Sequence, residues 1–278
     1  MRYHACITRS IIIIYFICTA SAGIAQFKAG SVNWTKDGTG LYEIQDNMLL
    51  RINPLSAQQV TVLATAAQLT PREKDNPLTI ADFEISPDEN ILLIFTNTAR
   101  VWRYNTRGDY WILNRGTGQL KQIGKDKPSQ SLMYAKLSPD GKKVGYVSNH
   151  NIYTEDIDSG NTIALTTNGN RQLINGTFDW VYEEELGCRD GFRWSGDSKN
   201  IAYWQVDATG TRDYLMLNTT DSIYSFVIPV EYPKVGQSPS SVRIGVVSAA
   251  GGNTRWMNIP GDAKQHYLPR MEWAAGNQ

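Results

Sequence analysis

Histidine and cysteine are scarce, with three of each in 278 residues. That leaves little room for a metal centre or a cofactor held by imidazole and thiolate ligands, and none is expected. Charge of one sign is not in excess either, because 27 Lys and Arg residues balance 27 Asp and Glu residues. A formally neutral chain lacks the basic surplus that nucleic-acid binding by counterion release requires. Walker loops and dinucleotide glycine patterns do not occur. Neither does a Gly-x-Ser-x-Gly nucleophile elbow: the nearest segment, Gly236-Gln237-Ser238-Pro239-Ser240, lacks the closing glycine. His150 and His266 stand in no triad-like context, so no catalytic residue is named. Asp156-Ile157-Asp158-Ser159-Gly160 fails as a calcium loop because position twelve is Thr167 rather than Glu.

What is plentiful is aromatic and apolar. Hydrophobic residues make up 41% and charged ones 19%, which places the chain among globular rather than disordered proteins. Eight Trp and 14 Tyr outnumber 7 Phe. Rings with a polar edge suit strands packed in layers that still reach water.

Residues 1–25 follow their own pattern. Arg2 and Arg9 flank the start, Ile11 to Ala20 form a short apolar run, and small residues follow. These are the three regions of a secretory signal peptide, with cleavage after Ala22 or, preferably, Ala25. The chain is therefore expected to be exported, to the periplasm or the medium. An uncleaved N-terminal membrane anchor is the alternative. Cleavage removes Cys6 and Cys18, leaving Cys188 with no partner for an intramolecular disulfide.

Beyond residue 25 the chain reads as short strands and turns. Trp34-Thr35-Lys36-Asp37-Gly38, Ser86-Pro87-Asp88, Ser138-Pro139-Asp140-Gly141 and Trp194-Ser195-Gly196-Asp197 each precede an apolar strand. Their aspartates lie at 37, 88, 140 and 197, at intervals of 51, 52 and 57 residues. A period of about fifty residues with four short strands per unit is the pattern of a β-propeller blade. A β-sandwich with coincidental turns is the competing architecture. Met271-Glu272-Trp273 resembles the start of a fifth copy. The expected fold is thus all-β, a partial propeller of about four to five four-stranded blades over residues 26–278. Tyr232-Pro233-Lys234 is read as the start of an insertion in the last interval.

One segment breaks the repeat. Asp179-Trp180-Val181-Tyr182-Glu183-Glu184-Glu185-Leu186 predicts a short helix with Asp179 as its N-cap. Three carboxylates in a row can simply complement the helix dipole and face water. They can also converge on one cation, since an ammonium has three N–H donors for acidic acceptors.

This eight-residue motif resembles the glutamate motif of the dipeptidyl peptidase IV family, serine exopeptidases of the prolyl oligopeptidase class. Phe192-Arg193-Trp194-Ser195, Val230-Glu231-Tyr232-Pro233, and Val101-Trp102-Arg103 with Asp109-Tyr110 resemble further stretches of that family, and the likeness runs with gaps from about Ser31 to Trp273. The resemblance implies a propeller covering an α/β-hydrolase domain, which is not found in this chain. It implies that Glu184 and Glu185, rather than Glu183, bind the free amino terminus of a peptide, and that Arg103 contacts the substrate backbone. It also implies Xaa-Pro dipeptide release and the possibility of a homodimer. The chain is then expected to be an incomplete N-terminal propeller, not catalytic alone. Release of tripeptides, or a stand-alone exported propeller acting as a binding or scaffold protein, are the alternatives.

Overall fold

The computed structural model describes residues 33–277; the signal segment with Cys6 and Cys18 lies outside them. The described residues are nearly all strand and turn, as an all-β propeller region requires. The first antiparallel meander comprises β1 (Asn33–Trp34), β2 (Leu41–Gln45), β3 (Met48–Asn53) and β4 (Ser56–Ala64), in that spatial order. The second comprises β5 (Asp82–Ile85), β6 (Ile91–Val101), β7 (Tyr104–Asn114) and β8 (Gln119–Ile123). The third comprises β9 (Leu132–Leu137), β10 (Lys143–Ser148), β11 (Asn151–Asp156) and β12 (Thr162–Ala164). It is stitched to the second where Arg107 and Gly108 of β7 pair with Met133 and Leu132 of β9.

Next come β13 (Leu173–Asn175), a single helix α1 (Trp180–Glu184), β14 (Phe192–Trp194) and β15 (Asn200–Asp207). Then β16 (Asp213–Asn218) and β17 (Phe226–Glu231) form a separate two-stranded ribbon, and β18 (Ser241–Ser248) and β19 (Arg255–Trp256) complete the fourth sheet. Both β13 and β14 pair with β15, which pairs along its length with β18. This ribbon is not the insertion expected to start at Tyr232: it spans Asp213 to Glu231 and ends just before that residue. Residues 271–273 lie beside β14 without forming a strand; the Trp273 indole N–H donates to the Arg193 carbonyl at 3.1 Å.

The side-chain period of two explains the unbroken apolar runs. Leu92 and Ile94 pack with Leu49, Leu63, Trp111 and Leu113 on one face. Leu93 packs with Tyr110, Ile112, Val144 and Tyr146 on the other. A sheet covered on both faces has no solvent side, so Ile91 to Phe95 carries no polar residue. A third cluster joins Val147 and Ile152 to Phe192, Ile201 and Tyr203. Burial of each such side chain contributes about 1.5–3 kcal/mol.

The repeated turns share one hydrogen-bond scheme. Thr35, Ser86, Ser138 and Ser195 donate their hydroxyls to Asp37, Asp88, Asp140 and Asp197 at 2.6, 2.5, 2.6 and 2.7 Å. Each hydroxyl also accepts, at 2.9 Å, the backbone N–H five residues on. Each aspartate in turn accepts the N–H two residues on, at 3.0–3.2 Å. The aspartate period is visible in the sequence. The hydroxyl that closes each turn is equally periodic and equally necessary.

Candidate functional site

Helix α1 has only five residues, too few to persist on propensity alone. It is fixed by its flanks. Gly176 sits at φ +76, with Ile152 and Val147 so close that a Cβ would meet Ile152 at 2.7 Å. The chain therefore turns there only as glycine. Asp179 is the N-cap, as the sequence predicts: Oδ1 accepts the Tyr182 N–H at 3.1 Å, and Oδ2 accepts the Ser240 hydroxyl at 2.6 Å. Burial raises the Asp179 carboxyl above its ordinary value, against these two bonds. Tyr182 is fully buried, stacks on Phe178 at 5.3 Å, and accepts the Leu268 N–H at 2.9 Å. Trp180 lies 4.4 Å from Tyr232, where the β16–β17 ribbon returns.

Opposite α1 stands an arm made of the outer halves of β6 and β7. Its inner half is core, and its outer half carries two register shifts, between Thr96 and Ala99 and between Ala99 and Val101. Gly108 marks the crossover: a Cβ there would meet Phe95 at 2.5 Å and the Thr96 carbonyl at 2.7 Å. Asp109 latches the arm to the loop before β9, accepting from Asn97 at 2.7 Å, Ser129 at 3.2 Å and the Gln130 N–H at 2.7 Å. The tip is the two-residue link Trp102-Arg103, with Trp102 at φ +50.

This geometry brings Arg103 to the glutamate motif. Its Nε donates to Glu184 Oε2. The pair is lopsided, since the Arg103 side chain is 76% exposed and that of Glu184 only 7%. Glu184 Oε1 is buried without a hydrogen-bond partner. Glu185 is exposed at the C-cap, where its N–H donates to the Val181 carbonyl. Of the three residues singled out in the sequence, Arg103 and Glu184 are in contact and Glu185 flanks them.

Glu183, set aside in the sequence, is the most perturbed carboxylate of the motif. Its side chain is 6% exposed and lies 3.5 Å from the Arg189 guanidinium. Burial foremost, opposed by Arg189 and assisted by the charge of Glu184, pushes it up to about 7. Arg189 also spans to the arm, its guanidinium 4.2 Å from the Tyr104 ring centroid. Neither Arg189 nor Tyr104 belongs to a sequence pattern that would have marked it.

The family model described as the dipeptidyl peptidase IV N-terminal region matches residues 86–278. The chain belongs to this family. It is 24% identical over 251 residues to inactive dipeptidyl peptidase 10 of Mus musculus, which covers 88% of this chain and 31% of that protein. It is 30% identical over 196 residues to dipeptidyl aminopeptidase B of Saccharomyces cerevisiae, covering 69% and 23%. Among solved structures, dipeptidyl peptidase 4 of Porphyromonas gingivalis superposes with a TM-score of 0.76 at 27% identity, covering 84% of this chain and 33% of that one. The chain therefore spans about a third or less of these relatives. Among the described residues no helix is long and apolar enough to cross a membrane.

Proposed function

We propose that this chain is the amine-recognition part of a dipeptidyl peptidase IV-like serine exopeptidase. Glu184 and Glu185 bind the free amino terminus of a peptide, and Arg103 contacts its backbone carbonyl. Hydrolysis, with release of an Xaa-Pro dipeptide, belongs to an α/β-hydrolase domain outside this chain. The observation that carries the reading is the state of Glu184: deeply buried, paired on one oxygen with an exposed arginine, and unpartnered on the other. A buried acceptor without a donor costs about 1–3 kcal/mol, which an incoming N–H removes. An ammonium brings three donors and a full charge. Arg103, exposed at the surface end of the pair, can yield one carboxylate oxygen and turn to the peptide carbonyl. Anchoring the terminus fixes the distance to the scissile bond, which lowers the entropic part of the barrier.

Calorimetric titration with a tetrapeptide beginning Ala-Pro, free or N-acetylated, tests this. Binding of the free form and loss of binding on acetylation is the expected result; equal binding of both forms rejects the reading. One comparison favours a second reading: a relative matched over 88% of this chain, at 24% identity, bears the name inactive dipeptidyl peptidase 10. On that reading the chain is an exported binding or scaffold propeller, and the acetylated peptide binds as well as the free one or neither binds.

The same proposal assigns the ribbon β16–β17 to contact with a second copy of the chain. Tyr214, Leu215, Leu217, Tyr224, Phe226 and Val227 are all exposed on it, a cluster of large apolar side chains of the kind that marks an interaction surface. Arg171 holds its open end through Asp213 at 2.9 Å and through Glu231. Light scattering of the wild type and of Leu215→Lys/Leu217→Lys distinguishes a dimer from a monomer. Export to the periplasm or medium is part of the same reading, and N-terminal sequencing of the mature protein reads it directly.

A further inference from the structure

We propose that Arg189 is a positioning residue that clamps the tip of the β6–β7 arm to helix α1 and so keeps Arg103 against Glu184. This inference rests on the amine-binding reading of the site. The Arg103–Glu184 pair is open on one side. Its cationic end is 76% exposed, so fixing the long Arg103 side chain costs entropy that offsets part of the attraction. The Asp109 latch acts at the base of the outer arm. Between it and the tip the strand ladder is interrupted twice. Something nearer the tip must fix it.

Arg189 is placed to do so. It lies in the loop after α1, its side chain 24% exposed. Nη2 donates to the Glu183 carbonyl at 3.2 Å, Nη1 to the Gly187 carbonyl at 3.4 Å, and Nε lies 3.5 Å from the Glu183 carboxylate. The edge of the guanidinium is thus committed to the helix and its C-terminal turn. Its central carbon lies over the Tyr104 ring, 4.2 Å from the centroid. Tyr104 is the residue next to Arg103 and pairs with Val101 across the tip. One cation therefore bonds to the element carrying Glu184 and makes a cation–π contact with the element carrying Arg103. A lysine could supply the charge but neither the fork nor the face. The buried Glu183 carboxyl packs 3.5 Å from the guanidinium Nε, which places this acid of the motif beside the clamp rather than against the peptide.

The test is a double-mutant cycle on the 278-residue chain, read by calorimetry with the free-amine Ala-Pro tetrapeptide. Arg189→Ala and Tyr104→Ala are each expected to weaken Kd about tenfold, and the double variant no more than the worse single, because both remove one contact. Tyr104→Phe, which keeps the ring face, is expected to bind as wild type, and Arg189→Lys to recover only part of the loss. Additive losses, or Tyr104→Phe behaving as Tyr104→Ala, overturn the clamp. Amide hydrogen exchange of residues 100–106 is a second readout that needs no peptide. It is expected to rise in Arg189→Ala while residues 110–113 stay protected; an unchanged tip overturns the proposal. A wild type that ignores the free amine sinks the amine-binding reading alone, and the exchange measurement still decides the clamp.

Discussion

Arg103 and Glu184, 81 residues apart in the chain, are joined by a hydrogen bond from guanidinium Nε to carboxylate Oε2. The two residues arrive by different routes. Glu184 is held by the caps and buried rings of a five-residue helix, whereas Arg103 is carried out on a long hairpin. A buried acid thus faces an exposed cation, which suits a site that must exchange one positive partner for another.

Replacing the acid tests this division. Glu184→Gln keeps the shape and removes the charge. Affinity for the free-amine peptide is expected to fall about 10–100-fold, as the loss of one charge-assisted hydrogen bond of about 1.5–3 kcal/mol implies. Calorimetry at neutral pH reads it, and an undiminished affinity excludes Glu184 from amine binding.

Glu183 sets a pH dependence of stability. Its folded-state value, about 7, stands above the ordinary 4.5, so between these values the folded chain holds a proton that the unfolded chain has lost. The contribution is therefore lost as pH rises through this window and levels off above 7. Melting temperature measured from pH 5 to 8 is expected to fall less in Glu183→Gln than in wild type. Parallel slopes would show that Glu183 titrates normally.

The turn aspartates act in the opposite direction at acid pH. Asp37 is lowered to about 2, first by the Thr35 hydroxyl, and Asp88 and Asp197 are lowered first by Ser86 and Ser195. Groups held below their unfolded value of 3.8 contribute stability above it, and this is lost as pH falls toward 2. A steep decline in melting temperature between pH 4 and 2 is expected. It should be shallower in Ser195→Ala, whose removal of a buried two-way hydroxyl should itself cost about 1–3 kcal/mol at neutral pH by urea unfolding.

Asp179→Ala should loosen the helix. It removes the N-cap and leaves the Ser240 hydroxyl without its acceptor, a loss of about 1–3 kcal/mol. Asp179→Asn keeps one acceptor for the Tyr182 N–H and presents an N–H to the Ser240 hydroxyl, which can turn to accept it, so it should recover most of this. Equal losses in the two variants would show that the Asp179 charge, rather than its acceptors, holds α1.

Local chemistry was legible in the sequence and distant contact was not. The aspartate period marked the turns, and the unbroken apolar run over Ile91 to Phe95 marked a strand, because each depends on neighbours a few residues away. Asp179 announced the helix for the same reason. The meeting of Arg103 and Glu184 could be anticipated only through family resemblance, since nothing within either segment encodes the other. Glu183 looked like the solvent-facing member of an acidic run, yet the helix turns it inward to Arg189. The ribbon was not foreseen, since the insertion was expected only from Tyr232: its apolar residues read like any strand pair, and only the structure shows that they stay exposed.

The hairpin that carries Arg103 imposes a parity rule on its own evolution. Successive residues of a strand point to opposite faces, so gain or loss of a single residue in either outer strand turns the tip over unless a bulge, such as the two already there, absorbs it. A matched pair of residues added to each strand keeps the orientation but moves the tip by roughly 6.8 Å, beyond the reach of the same contact. The length of the outer strands is thus what sets where the arginine lands.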